Sequence, residues 1–215
     1  MSTVQRKRLR PDGPRLTRDD WLDAAQAAVV EGGFDQLRVL QIAKGLRVTR
    51  GSFYWHFSSQ AELQAGLLAR WHRRQLAVDA ELQAQVSADP QRDLAQVLET
   101  ALAQIGPQLE HMRFELALRG LGRRDPAVAS LLAEVDAMRM ALFEDKFLRL
   151  TGDAQSATEL AVLFYLAVVG SYQALSRPAT PPQLKDYLQR LITTYLIQRQ
   201  RPAGQGAPSA PAAPP

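Results

Sequence analysis

Apolar residues recur along this 215-residue chain at intervals of three and four, the spacing of one face of an α-helix, with no run of the alternation that marks a half-buried strand. No internal repeat of fixed period is visible. The first stripe, Trp21, Leu22, Ala25, Ala28 and Val29, follows Thr17 and Asp20, a capping-box variant, and stops at Gly32-Gly33. Val39, Ile42, Ala43 and Leu46 mark a short second helix, and after Leu46-Arg47 another begins at Thr49. A fourth, capped by Ser58 and Ser59 with Glu62, runs through Leu63, Leu67 and Trp71 toward Gln85. Helical spacing then continues almost to the end. It is interrupted at Asp89-Pro90, Gly106-Pro107, Gly120 to Asp125-Pro126, Thr151-Gly152 and Arg177-Pro178 through Pro182. The pattern predicts an all-α protein.

Two helices as short as the second and third cannot lie side by side, and a tight turn between such pieces is the helix-turn-helix arrangement, expected at about 38–57. Its second helix can enter the major groove of DNA with its first residues toward base edges. Those residues are Thr49, Arg50, Gly51 and Ser52. Arg pairs bidentately with guanine, hydroxyls bond bases or phosphates, and Gly lets the backbone come close. Phe53 and Phe57, four apart, would pin the helix to its own domain. Tyr54, Trp55 and His56 then face elsewhere, and three amphipathic rings beside a basic helix start suit phosphate contacts. The plain alternative makes all these rings the core of a small three-helix unit.

Charge sharpens the picture once it is placed along the chain. Residues 1–56 hold ten Lys/Arg and six Asp/Glu, so 10 − 6 = +4, which is the whole formal charge; the remainder carries sixteen of each. The surplus therefore sits with the expected DNA reader. Residues 1–14 read as a basic arm, able either to add phosphate contacts or to serve as a solubilising tail. Cysteine is absent, which excludes disulfides and thiolate chemistry and suits a reducing cytoplasm. No apolar stretch follows the basic N-terminus, so no secretory signal is visible.

The run VTRGSFYWHFSSQAEL (Val48 to Leu63), with IAKGL before it and Glu31-Gly32-Gly33-Phe34 earlier, resembles the DNA-binding segment of the tetracycline-repressor (TetR) family of bacterial transcription regulators. The likeness covers roughly residues 17–70. It implies operator contacts from Thr49, Arg50, Gly51, Ser52, Tyr54, Trp55 and His56, to which the basic Arg38, Lys44 and Arg47 are added as contacts to double-stranded DNA. Two departures stand out. Arg47 occupies a turn position where the family usually has Gly, which requires a positive φ, at a cost of about 1 kcal/mol, or a different turn. Gln60 stands where Lys is common. The segment Glu115 to Arg139 resembles, less specifically, the effector domain of a TetR subgroup.

Leu160 to Ala174 is apolar on nearly all sides, and Leu184, Tyr187, Leu188, Leu191, Ile192, Tyr195 and Leu196 form a broad stripe. A helix apolar all round is central to a protein or to a membrane, and the uncharged run to Ser176 is short for a span. Members of the family dimerise through their last two helices. The expected homodimer interface is accordingly Leu163, Val168, Tyr172, Leu184, Leu188, Leu191 and Tyr195. A pocket for a small apolar or aromatic effector is expected among Trp71, His111, Phe114, Phe147, Phe164 and Tyr165. His56, His72 and His111 have no metal-ligand spacing, and no hydrolase, phosphate-loop or paired-carboxylate motif is present. The nearest approach, His111 with Glu115 one turn on, reads as a surface contact. Neither enzyme, cofactor, metal nor membrane is expected. The expected organisation is a basic arm at 1–14, a DNA-binding domain at 15–75, an effector and dimerisation domain at 76–200 and a Pro/Ala-rich tail at 201–215, acting as a ligand-responsive repressor. The rivals are an activator of the same fold and a helical scaffold whose DNA motif is degenerate.

Overall fold

The computed structural model describes residues 16–103 and 109–175, and among these it contains helices and no strand. The all-α expectation holds. The chain divides into two compact units, Met1–Leu68 and Ala69–Pro215.

The first unit contains α1 (Arg18–Gly32), a 3-10 turn (Phe34–Gln36), α2 (Val39–Gly45), α3 (Arg50–Phe53) and the start of α4 (Gln60–Ala84). Local chemistry sets each boundary. Thr17 accepts from the backbone N–H of Asp20, and the Asp20 carboxylate takes the N–H of Thr17, so the capping box is complete. Gly33, at φ 79°, ends α1 in a conformation costly to a residue with a Cβ. Ser59 Oγ accepts from Glu62 N–H (3.1 Å), while Glu62 reaches back to the Ser58 N–H (2.7 Å). Those bonds from Ser58, with Arg18 beyond, bring Glu62 down to a pKa of about 2. The core is Trp21, Leu22, Ala25, Val29, Leu37, Ile42, Ala43, Phe53, Phe57, Leu63 and Leu67, with Ala28 only half-buried. Trp21 meets Phe53 edge-on at 5.4 Å, and Phe53 stacks on Phe57 at 5.5 Å.

The second unit holds the rest of α4 with α5 (Pro90–Ala103), α6 (Leu109–Gly122), α7 (Pro126–Thr151) and α8 (Ala154–Leu175). Asp125 caps α7 through the N–H groups of Ala127 and Val128 with Pro126 at its first turn, and Gly152 closes it at φ 70°. α7 packs along α8 over a core that includes Leu94, Val97, Leu142, Phe143, Phe147, Ala161 and Phe164. Asp93, buried, accepts from Arg149 and the Ser87 N–H, with Lys146 Nζ at 3.7 Å.

α8 is two-sided rather than apolar and buried all round. Ala157, Ala161, Phe164 and Val168 are sunk in the core of their own unit, while Val162, Leu163 and Leu166 are exposed. Leu163 thus lies on the open face, but Val168 does not: it is buried within its own chain, one turn below Phe164 on the same stripe. Of the other expected interface residues, Leu184, Leu188, Leu191 and Tyr195 lie outside the described residues, as does the side chain of Tyr172.

Candidate nucleic-acid interface and ligand cavity

The turn between α2 and α3 is built on Arg47. Its φ is 57°, making it the one non-Gly residue at positive φ among the described residues. The N–H of Val48 bonds the Ala43 carbonyl (2.9 Å) and that of Arg47 the Lys44 carbonyl (3.1 Å), the paired bonds of a Schellman ending with Arg47 at the left-handed position. Of the two turns open to this sequence, the chain takes the left-handed one. Because that position carries Arg instead of Gly, an exposed cation stands at the mouth of the turn.

Thr49 is the N-cap of α3 and makes no side-chain capping bond. Sinking Phe53 and Phe57 into the core turns the rest of α3 outward. Thr49, Arg50, Gly51, Tyr54 and Trp55 are exposed, with Ser52 and His56 half-buried, and Arg38, Lys44 and Arg47 are exposed as well. Trp55 is 83% exposed. Arg50 and Tyr54 are joined: the guanidinium donates to the phenol oxygen at 2.9 Å and lies 5.7 Å from the ring centroid, so the two present one polar, cationic edge. Arg38 Nε donates weakly to the Asp35 carbonyl (3.4 Å).

One basic residue plays a part the sequence reading missed. Arg18 donates to the His56 carbonyl (2.6 Å) and to Glu62 (3.0 Å), and lies 4.1 Å over the Phe57 ring. It ties α1 to the chain leaving α3 and so fixes the attitude of the exposed rings. Its partners are 38 and 44 positions away, beyond the reach of local pattern.

In the second unit a cavity of about 70 Å³ is lined from α4 by Gln75, Val78 and Asp79, with Glu115, Arg139 and Phe143 among its other walls. Of the six side chains expected at an effector pocket, His111 lines this cavity. Trp71, Phe114, Phe147 and Phe164 are buried and do not. Phe164 instead packs edge-on against Phe143 (4.6 Å) and Phe147 (6.2 Å), as core rings do. Tyr165 is half-buried and bonded to Asp136; burial first, then that bond, raises its pKa to about 12.

Glu115 is no surface partner of His111. It is 3% exposed, accepts from Arg139 with both oxygens (2.8 and 2.9 Å) and from Arg119 (2.7 Å), and Arg119 in turn bonds Asp136 (2.7 and 2.9 Å). Burial would push Glu115 up, but the two guanidinium groups outweigh it and hold its carboxyl below the usual range. Arg139 also donates to Gln75 at 2.6 Å. His111 is held below the usual imidazole range by burial and then by Arg74. No group of three or more His, Cys, Asp or Glu able to hold a metal occurs among the described residues, and no helix among them is long and apolar enough to cross a membrane.

Residues 22–66 match the family model for bacterial regulatory proteins of the tetR family. Over that segment the chain is similar to the tetR family. It is 40% identical over 67 residues to the HTH-type transcriptional regulator SrpR of Pseudomonas putida and 39% identical over 56 residues to TtgR of the same species. These matches span 31% and 26% of this chain, and only 32% and 27% of those relatives, so the kinship by sequence is that of the tetR DNA-binding segment. The fold extends further. A transcriptional regulator from Rhodococcus sp. Rha1 superposes with a TM-score of 0.67 over 86% of this chain and 97% of its own, at 21% identity, so the likeness in fold takes in the second unit as well.

Proposed function

We propose that the protein is a cytoplasmic transcriptional repressor that binds palindromic double-stranded DNA as a homodimer and lets go when a small molecule occupies the cavity of its second unit. The observation carrying this reading is Trp55. In a domain that seals Trp21, Phe53 and Phe57 in its core, this ring is left in solvent at the end of the short helix that also exposes Arg50 and Tyr54 and that follows the left-handed Arg47. A large amphipathic ring among cations belongs against a phosphate backbone. The open stripe Val162, Leu163 and Leu166 suits pairing with its counterpart in a second copy, which would deliver two readers to successive half-sites. α4 belongs to both units, so strain set up at Asp79 can run along an unbroken helix to Leu63. Effector and DNA then oppose one another by reciprocal linkage, typically about 1 to 3 kcal/mol.

The test is an electrophoretic shift on the DNA upstream of the protein's own gene, followed by a salt titration. Binding should weaken steeply, with a slope of about 0.9 per phosphate neutralised. A salt-independent complex would contradict the reading.

A further inference from the structure

We propose that the cavity of the second unit takes a small protonated amine with an apolar body, whose nitrogen donates to Asp79; this rests on the reading of that cavity as the ligand site. Asp79 is 7% exposed, and its Oδ2 is shielded from solvent with no hydrogen-bond partner. Such an acceptor is expensive to bury and marks a place where a donor is wanted.

The charges around it are settled without it. Arg139 and Arg119 are matched by Glu115 and Asp136, two of each sign joined by direct bonds. Arg74 also lines the cavity, but it is exposed on α4, where solvent screens its charge, and after burial it helps hold His111 below the usual imidazole range. Asp79 is then the one unmatched charge of this buried set, and an incoming cation restores neutrality where an anion would compound the excess. Apart from the polar Gln75 and Thr100, the remaining walls are apolar or aromatic, among them Val78, Leu82, Val97, Met112, Leu142 and Phe143. Charge complementarity therefore chooses the ligand's head, and these walls choose its body.

Affinities of the purified full-length protein for benzylamine, benzyl alcohol and benzoate are measured by calorimetry at pH 7.5. A charge-assisted bond gives benzylamine a preference of at least about tenfold over the alcohol, and benzoate binds weakest. Asp79→Asn, nearly isosteric, removes the preference, while Asp79→Glu keeps part of it and guards against loss through misfolding. Equal binding of amine and alcohol, tighter binding of benzoate, no binding of benzylamine at millimolar concentration, or a preference that survives in Asp79→Asn overturns the assignment. None of these readouts uses DNA. A protein that shifts operator DNA yet shows no amine preference refutes the ligand class alone, and one that prefers amines yet ignores DNA refutes the repressor reading.

Discussion

Replacing Asp79 by Asn should make the protein more stable at pH 7.5 and no more stable near pH 4. Burial, the largest influence on this carboxyl, raises its pKa from 3.8 to about 6; Arg139 opposes the rise and Glu115 adds to it. Between those two values the folded state holds the proton more tightly than the unfolded chain does, so stability falls as pH rises through the window. Above about 6 the ionised carboxylate exerts its full penalty. At about 1.4 kcal/mol per pH decade, the displacement amounts to about 3 kcal/mol. For a chain of this size that corresponds to roughly 6 to 12 °C in melting temperature. His111, depressed by burial, loses stability in the opposite direction as pH falls, but it is present in both proteins and cancels in the difference. Thermal melts of parent and variant at equal concentration from pH 4 to 8 should show a gap that opens from about pH 4 and is complete just above about pH 6, in favour of Asn. A gap that does not vary with pH would refute the argument that Asp79 is buried as an unsatisfied carboxylate.

Other expectations follow from the same geometry. Arg50→Ala should lower operator affinity by about 1 to 3 kcal/mol and relax preference at one base position, measured across an operator library by fluorescence anisotropy. Arg47→Gly should leave the fold at least as stable, because glycine takes φ 57° without the penalty of about 1 kcal/mol borne by a residue with a Cβ, yet weaken operator binding through loss of the cation; calorimetric melts and gel shifts on one preparation would separate the two effects. Leu163→Glu combined with Leu166→Glu should produce monomers in analytical ultracentrifugation with loss of tight operator binding. Arg139→Met should cost about 3 to 5 kcal/mol in unfolding titrations, since it leaves Glu115 buried with Arg119 as its remaining cation.

Much of the first unit was legible because its signals are local. Thr17 with Asp20, Gly33, Ser59 with Glu62, and the Phe53/Phe57 pair all act within four residues of themselves, and each does in the structure what its spacing foretold. Arg18 was not legible, because the groups it binds arrive only on folding. The second unit's cavity shows the same limit. Aromatic residues suggest pocket walls, but Phe147 and Phe164 are large apolar side chains that the core buries completely. The polar lining comes instead from polar and charged residues on inward stripes, Asp79 and Gln75 between Trp71 and Leu82 on α4, and Glu115 between Met112 and Leu118 on α6. A charge at an inward helical position is the sequence signal for such a lining. Likewise α8 reads as apolar all round, though Ala157, Ala161, Phe164 and Val168 serve its own core while Val162, Leu163 and Leu166 stay exposed.

The account stands on the outward face of α3 lying against DNA. A benzophenone amino acid placed at position 55 and irradiated on operator DNA should form adducts in the major groove of both half-sites, whereas the same probe at exposed position 133 on α7 should form none. Adducts from 133 and none from 55, on a protein that still shifts the operator, would show that another surface reads the DNA.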